Sequence, residues 1–436
     1  MKIGYIFLFC VTCFPKSSVA MTTPTTSRRH PTIRKLSTLS DDGQMEQSTK
    51  QRVMNMVERA KTGDTMTDEE VSIICDGIAN LVPKDASINF EELRDVVQNA
   101  AHLSHKDWSR TSRNSDALSR SLSISSDDDV SDDVISQHAQ QLLERILKEG
   151  NWDGAKVHST SAGKGKSEKP WAVLVTGVNG IRKTTSMYQP WFEELLSDAL
   201  CPPSGASVDG GLPTGRNSFF RQLDHIIATL MNEEFFKLYT WASNQMANGD
   251  SDIPSAETVQ EYSDYKAAIF SRYRTVSELM GAILLKQAQK VNLNCLMETS
   301  GKDVAMFHYI DHFFESEQYN KLALHFVIND LSQAKESVDR RMIKEIQAGS
   351  SAVQSEDAFK VVYANAGGPY GSKVLESVQT DSERVWQEKV LTGSVGEDWY
   401  KATIAIEAHS TEPWTAQAVK ADGTLGPKYT FENPTQ

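Results

Sequence analysis

The nine residues Gly177-Val178-Asn179-Gly180-Ile181-Arg182-Lys183-Thr184-Thr185 bring together two glycines, a lysine and two hydroxyls, directly after the apolar run Ala172–Thr176. A buried strand that enters a glycine-containing turn and leaves into a helix surrounds a concave space with backbone N–H groups, which is how a chain cradles phosphate oxygens. In such a loop the Lys183 ammonium would reach the β- and γ-phosphates of a nucleotide such as ATP, and the Thr184 hydroxyl would hold Mg²⁺. The pattern G-x-x-x-x-G-K-[ST] has a second glycine where this chain has Arg182. A side chain there either turns away from the ligand, adds a donor to it, or marks a loop that no longer binds. Two acids follow at points where chemistry could be done. Asp224 closes the run Ser218–Leu223 and could equally cap a helix; Glu298 closes the run Leu293–Met297, at the ligand edge of an open sheet. Arg340 and Arg341 sit on a polar helix, as a solvated pair or as a clamp on phosphates.

The elements that must position these residues alternate. From Trp171 onward, strand-length apolar runs (172–176, 218–223, 293–297, 323–328 and 360–363) are separated by helical segments. That order predicts an α/β fold: a parallel sheet with helices on both faces. Before it, Val53, Met56, Val57 and Ala60 follow helical spacing, and Thr67 with Glu70 forms a capping box ahead of Val71, Ile74 and Ile78. Leu81–Glu92 has the outline of a calcium-binding loop but lacks carboxylates at its first positions (Leu81, Pro83) and the turn glycine (Ala86), so a helical hairpin is expected. The chain divides into a signal (1–20), a transit-like or disordered arm (21–45), a helical region (46–105), a disordered acidic Ser/Asp linker (106–133), a helix and flexible join (134–170), the α/β domain (171–375) and a C-terminal appendix (376–436).

Bulk properties bound the function. The 436 residues carry a formal charge of −13, which excludes a broad grip on nucleic-acid backbone but not a local pocket for a nucleotide. Lys2, the apolar run Ile3–Phe14 and the small residues Ser18-Val19-Ala20 read as a cleavable signal, and no later run is long enough to span a membrane. With a signal but few cysteines, the chain suits an organelle lumen or plastid; with Met21 as the start it would be cytoplasmic. Cys75, Cys201 and Cys295 are too scattered for a disulfide framework or a zinc site.

From Trp171 to about Lys373 the chain resembles the zeta-toxin-like P-loop kinases. The resemblance is carried by the Gly177–Thr185 loop, Asp224 after a strand, the long helix with Leu279, Ile283, Leu284 and Ala288, the strand ending Glu298-Thr299, the helix near Phe307–Phe314, and Asp339-Arg340-Arg341. It implies a P-loop kinase-type domain that uses ATP and Mg²⁺ to phosphorylate a hydroxyl on a small molecule. Lys183, Asp224, Glu298, Arg340 and Arg341 would then be catalytic. The family's acidic-arginine signature is absent beside Asp224, where Ile226 and Ile227 follow, so the acceptor stays open. The loop alone also resembles signal-recognition-particle type GTPases, whose other motifs are missing. The alternatives are a nucleotide hydrolase or switch, and an inactive loop on a chain that binds a protein partner through residues 46–105.

Overall fold

The computed structural model describes residues 42–79, 88–122, 146–160, 169–204, 211–247, 253–355 and 358–432. The expected signal, all of the arm before Asp42, and residues 123–145 of the linker and following helix lie outside the described residues. The strands are β1 (Trp171–Thr176), β2 (Leu200–Cys201), β3 (Ser218–Arg221), β4 (Asn294–Glu298), β5 (Asn320–Ile328), β6 (Tyr400–Glu407), β7 (Thr415–Val419) and β8 (Tyr429–Thr430). They form one sheet of order β3-β4-β1-β5-β6-β7-β8, with β2 also on β6; the pairings from β3 to β6 are parallel and the rest antiparallel.

Alternate residues of the central strands enter two cores. On one face Trp171, Val173, Val175, Leu296 and Leu324 pack with Leu195 and Leu196 of α7 (Phe192–Ala199) and Ala334 and Val338 of α12 (Leu331–Gln354). On the other, Ala172, Leu174, Cys295, Met297 and Ala323 pack into a larger helical layer. A strand buried on both faces needs apolar residues at every position, which is why β1 reads as an unbroken hydrophobic run.

That larger layer contains the N-terminal helices α1 (Asp42–Thr62), α2 (Asp68–Ala79), α3 (Phe90–Ala100), α4 (Trp108–Ser121) and α5 (Trp152–Thr160). After the loop helix α6 (Lys183–Met187) and α7 come α8 (Leu223–Leu230), α9 (Asn232–Ala247) and the 35-residue α10 (Ala256–Lys290), then α11 (Ala305–Phe313), α12, α13 (Ala358–Ala364) and α14 (Leu375–Val385). Val71, Ile74, Ile78, Leu93 and Val97 are buried in the same core as α10. Thr67 and Glu70 form the reciprocal cap of α2, at 2.8 and 3.2 Å.

Three expectations are corrected. The linker expected at 106–133 is helical over Trp108–Ser121. Asp107 caps it, Trp108 and Leu118 enter the core, and buried Ser115 and Ser121 donate to carbonyls of their own helix at 2.7 and 2.8 Å. A serine that satisfies its hydroxyl locally packs as closely as alanine. The run Lys360–Tyr363 lies in α13, not in a strand: Val361 and Val362 are buried against α9 and α12, and packing overrides their strand preference. The appendix expected at 376–436 is no appendix, because β6 pairs with β5 from Leu322↔Tyr400 to Ile328↔Ile406 and the sheet runs on through it.

Among the parallel strands, β1 is followed, after the short β2 on β6, by β3 on one side, while the connection leaving β4 crosses β1 to reach β5 on the other. Neighbouring strands whose onward connections diverge leave a crevice at their carboxyl ends, where open α/β sheets bind ligands.

Glu70 ties the N-terminal helices to α10, accepting from Arg272 Nε at 2.8 Å and Nη2 at 2.9 Å. Burial alone would raise its pKa, but the hydrogen bonds of Arg272 and Thr67, with the Arg272 and Arg59 charges, hold it below the usual range. Because the folded value is depressed, this stabilisation is complete above the unfolded glutamate pKa of about 4.3 and is lost as pH falls. Glu70→Ala strands Arg272 and should cost about 3–5 kcal/mol in urea unfolding at pH 7, with a smaller difference from wild type at pH 3.

Candidate functional site

The end of β1 turns sharply into the loop. Gly177 has φ 123° and Gly180 φ 86°, and a Cβ at either would lie 2.5 Å from the Phe326 carbonyl oxygen or 2.6 Å from that of Ala334. Only glycine fits both the dihedral and the space. Val178 and Ile181 are buried and anchor the loop to the sheet face, leaving Asn179, Gly180, Arg182, Lys183, Thr184 and Thr185 along the cleft.

Lys183 reaches back into the loop, with Nζ donating to the carbonyls of Gly177 (2.8 Å) and Val178 (2.7 Å). Register places Glu298, the last residue of β4, beside Val175 of β1. Its carboxylate takes both neighbours, Lys183 Nζ at 3.1 Å and the Thr184 hydroxyl at 2.9 Å. A cation, a hydroxyl and a carboxylate thus converge at the crevice between β1 and β4.

Arg182 has φ 62° and ψ 29°, the left-handed region in which glycine is at ease. Its guanidinium lies 4.3 Å from the Trp414 ring centre and 5.4 Å from that of Phe431. The left-handed backbone costs about 1–2 kcal/mol, and a cation–π contact returns about 0.5–1 kcal/mol. The anchor of this side chain thus comes from residues flanking β7 and β8, near the C-terminus.

Asp224 lies in the first turn of α8, where Gln222 rather than Asp224 is the N-cap. Burial lifts its pKa above the usual aspartate range, against Lys266 and Arg274 and with help from Glu298. The two arginines of α12 separate. Arg341 lines the cleft and its Nη2 lies 3.5 Å from the Gly368 carbonyl oxygen. Arg340 points to solvent and pairs with Glu336 at 3.5 Å, so it is not among the cleft residues. Successive helical residues face about 100° apart, and only one of the pair could turn inward.

The wall opposite the loop was missed in the sequence. Buried Lys266 of α10 donates to both oxygens of Glu345 on α12 (2.8 and 2.9 Å) and to the Gly367 carbonyl (2.6 Å), while Ala366 N–H donates to Glu345 at 2.9 Å. This clamp sets Gly368 against the site: a Cβ there would come 2.7 Å from Asn179 Nδ2 and 3.7 Å from Asp224 Oδ2. The Gly-Gly-Pro segment signalled a turn, but a lysine and a glutamate 79 residues apart carry no pairing signal. Beneath the loop, Thr176 Oγ1 lies 2.8 Å from His325 Nδ1, and burial, with the nearby Lys183 charge, pushes this histidine down to about 3, so it is neutral at pH 7.

The cleft enclosed by these elements measures about 970 Å³, at the upper end of small-molecule sites. Val53 and Val57 of α1, with His105 and with Trp108 of α4, also line it. Among the described residues no cluster of three or more His, Cys, Asp or Glu could hold a metal, and no helix is long and apolar enough to cross a membrane. Comparison with family models, with curated proteins and with solved structures returned no match.

Arg182→Gly loses the Trp414 contact but also the left-handed strain, so its urea-unfolding stability should stay within about 1 kcal/mol of wild type. Arg182→Val loses the contact and keeps a β-branched residue at positive φ, and should fall by about 2 kcal/mol or more.

Proposed function

We propose that this chain is an ATP-dependent P-loop kinase that transfers the γ-phosphoryl group to a hydroxyl of a small-molecule acceptor. The observation that carries the reading is the convergence of Lys183 and Thr184 on Glu298, at the divergence of the sheet connections, in a cleft that also holds Asp224. The ordered features that resemble zeta-toxin-like kinases support it, as does the seating of the Arg182 guanidinium on the Trp414 ring, 4.3 Å from its centre.

The residues present fit Mg²⁺. The Thr184 hydroxyl and the Glu298 carboxylate, 2.9 Å apart, are the hard oxygen donors this ion prefers, with phosphate and water to complete the set. Bound there, the ion would neutralise charge on the phosphate oxygens. Lys183 would give its donors to phosphate in place of the Gly177 and Val178 carbonyls, and Arg341 would approach from α12. In the transfer, an acceptor oxygen forms a bond to the γ-phosphorus as the bond to the β,γ-bridging oxygen breaks. The acceptor proton passes to Asp224 and ADP leaves with the bridging oxygen. A carboxylate whose pKa burial has raised holds that proton better than an exposed one. Positioning and charge stabilisation supply most of the acceleration in such chemistry.

Calorimetry of the full chain with ATP and GTP, each with Mg²⁺, tests the loop. Micromolar binding of ATP that Lys183→Ala abolishes is expected; equal binding by both proteins would sink the assignment. In an acceptor screen, Asp224→Asn should bind ATP as wild type does while turnover falls about 10²–10⁴-fold. The wild-type rate should decline on the acid side at a pH above the ordinary aspartate value of about 3.9, and the variant should lack that limb. ADP release at the same rate with and without acceptor would assign a hydrolase instead.

A further inference from the structure

Beyond the loop and Asp224, the cleft holds a charge cluster that the phosphotransfer reading leaves unused. Arg221, at the end of β3, is 2% exposed and donates from Nη1 to Glu278 Oε2 at 2.6 Å and to the Tyr309 hydroxyl at 2.8 Å. Arg274, one turn before Glu278 on α10, donates from Nε and Nη2 to the other oxygen of the same carboxylate, at 3.0 and 2.8 Å. Two guanidiniums therefore share one carboxylate, and the buried Arg221 Nε has no hydrogen-bond partner among the described residues. Both arginines line the cleft, three and more residues from Asp224 in sequence but close enough for Arg274 to act on its charge. His105 adds no charge: burial, with Arg274, Lys106 and Arg221 opposing Glu278, pushes it down to about 4. Nearby Asp303 is already held by Lys106 at 2.9 Å.

Two guanidiniums can share one carboxylate for structure alone, as Arg59 and Arg272 share Glu70, but a buried donor left without a partner costs about 1–3 kcal/mol. Here that donor is Arg221 Nε, and Glu278 sets one negative charge against two guanidiniums, in a chain whose formal charge is −13. Guanidinium groups match oxyanions through paired N–H donors, which is the recognition that this surplus suits. We propose that Arg221 and Arg274, arranged about Glu278, form an anion subsite in the acceptor half of the cleft, so that the acceptor is a hydroxylated small molecule bearing a phosphate ester or a carboxylate. Its hydroxyl lies toward Asp224 and its oxyanion on the arginine pair. The assignment to the acceptor rests on the kinase reading; the anion site itself rests on the cluster.

The test uses the full chain saturated with Mg²⁺ and a non-hydrolysable ATP analogue, so that the loop is filled out to its terminal phosphate. Inorganic phosphate and, separately, acetate are then titrated by calorimetry. One anion should bind in wild type, and Arg274→Gln should weaken it at least tenfold while the analogue binds as before. Arg274→Lys, which keeps the charge but not the fork, should fall between them and covers the case in which the glutamine variant misfolds. Phosphate binding alone marks a phosphate ester, and acetate binding marks a carboxylate. Analogue binding with no anion binding, or anion binding indifferent to both substitutions, overturns the subsite and leaves the kinase reading standing. Loss of the analogue in Arg274→Gln means that Arg274 serves the nucleotide, which overturns the acceptor assignment. Failure of the wild-type chain to bind the analogue overturns the kinase reading, and the acceptor assignment with it.

Discussion

Helix α10 is the member on which the cleft depends, because it is buried along most of its 35 residues and yet carries charge. A buried charge must be met by a partner from a neighbouring element, or the chain loses several kcal/mol at each one. Arg272 takes Glu70 from α2, Lys266 takes Glu345 from α12, and Glu278 takes Arg221 from β3. Each pairing fixes a different wall: the N-terminal helices, the loop at Gly367 and Gly368, and the strand end next to Asp224. The geometry around the cleft is the set of solutions to those three demands.

The same logic makes the N-terminal helices part of the site. Arg272 also bonds the Asp64 carbonyl at 2.8 Å, Trp108 Nε1 donates to the Ala305 carbonyl at 3.0 Å, and the Trp108 ring meets Tyr309 edge-on at 4.9 Å between centres. Tyr309 in turn receives Arg221. The path from α4 to the cleft is a chain of packed and hydrogen-bonded groups. At the opposite end, Trp414 and Phe431 seat Arg182, so the residues flanking β7 and β8 also shape the site.

How far the chain could be read depended on the range of the interaction responsible. The α2 cap, the glycine loop and the strand ending at Glu298 are set by contacts within a few residues, and their signals lie in adjacent letters. Residues 106–122 misled because serine-rich composition describes an average, while α4 is decided by Trp108, Leu118 and hydroxyls that bond locally. Val361 and Val362 misled because strand preference is weaker than the burial offered by α9 and α12.

By itself the sequence determined the alternation of strands and helices, and with it a mixed α/β sheet, and the spacing that puts Lys183 and Thr184 one residue apart at the end of a buried strand. Both follow from local periodicity and turn chemistry. Only the tertiary structure decided that Glu298 serves both of those residues, that Arg341 and not Arg340 faces the cleft, that Arg182 packs on Trp414, and that Arg221 and Arg274 share Glu278. Those outcomes depend on strand register, on helix rotation and on partners dozens to hundreds of residues away, and no window along the chain contains both halves of such a contact.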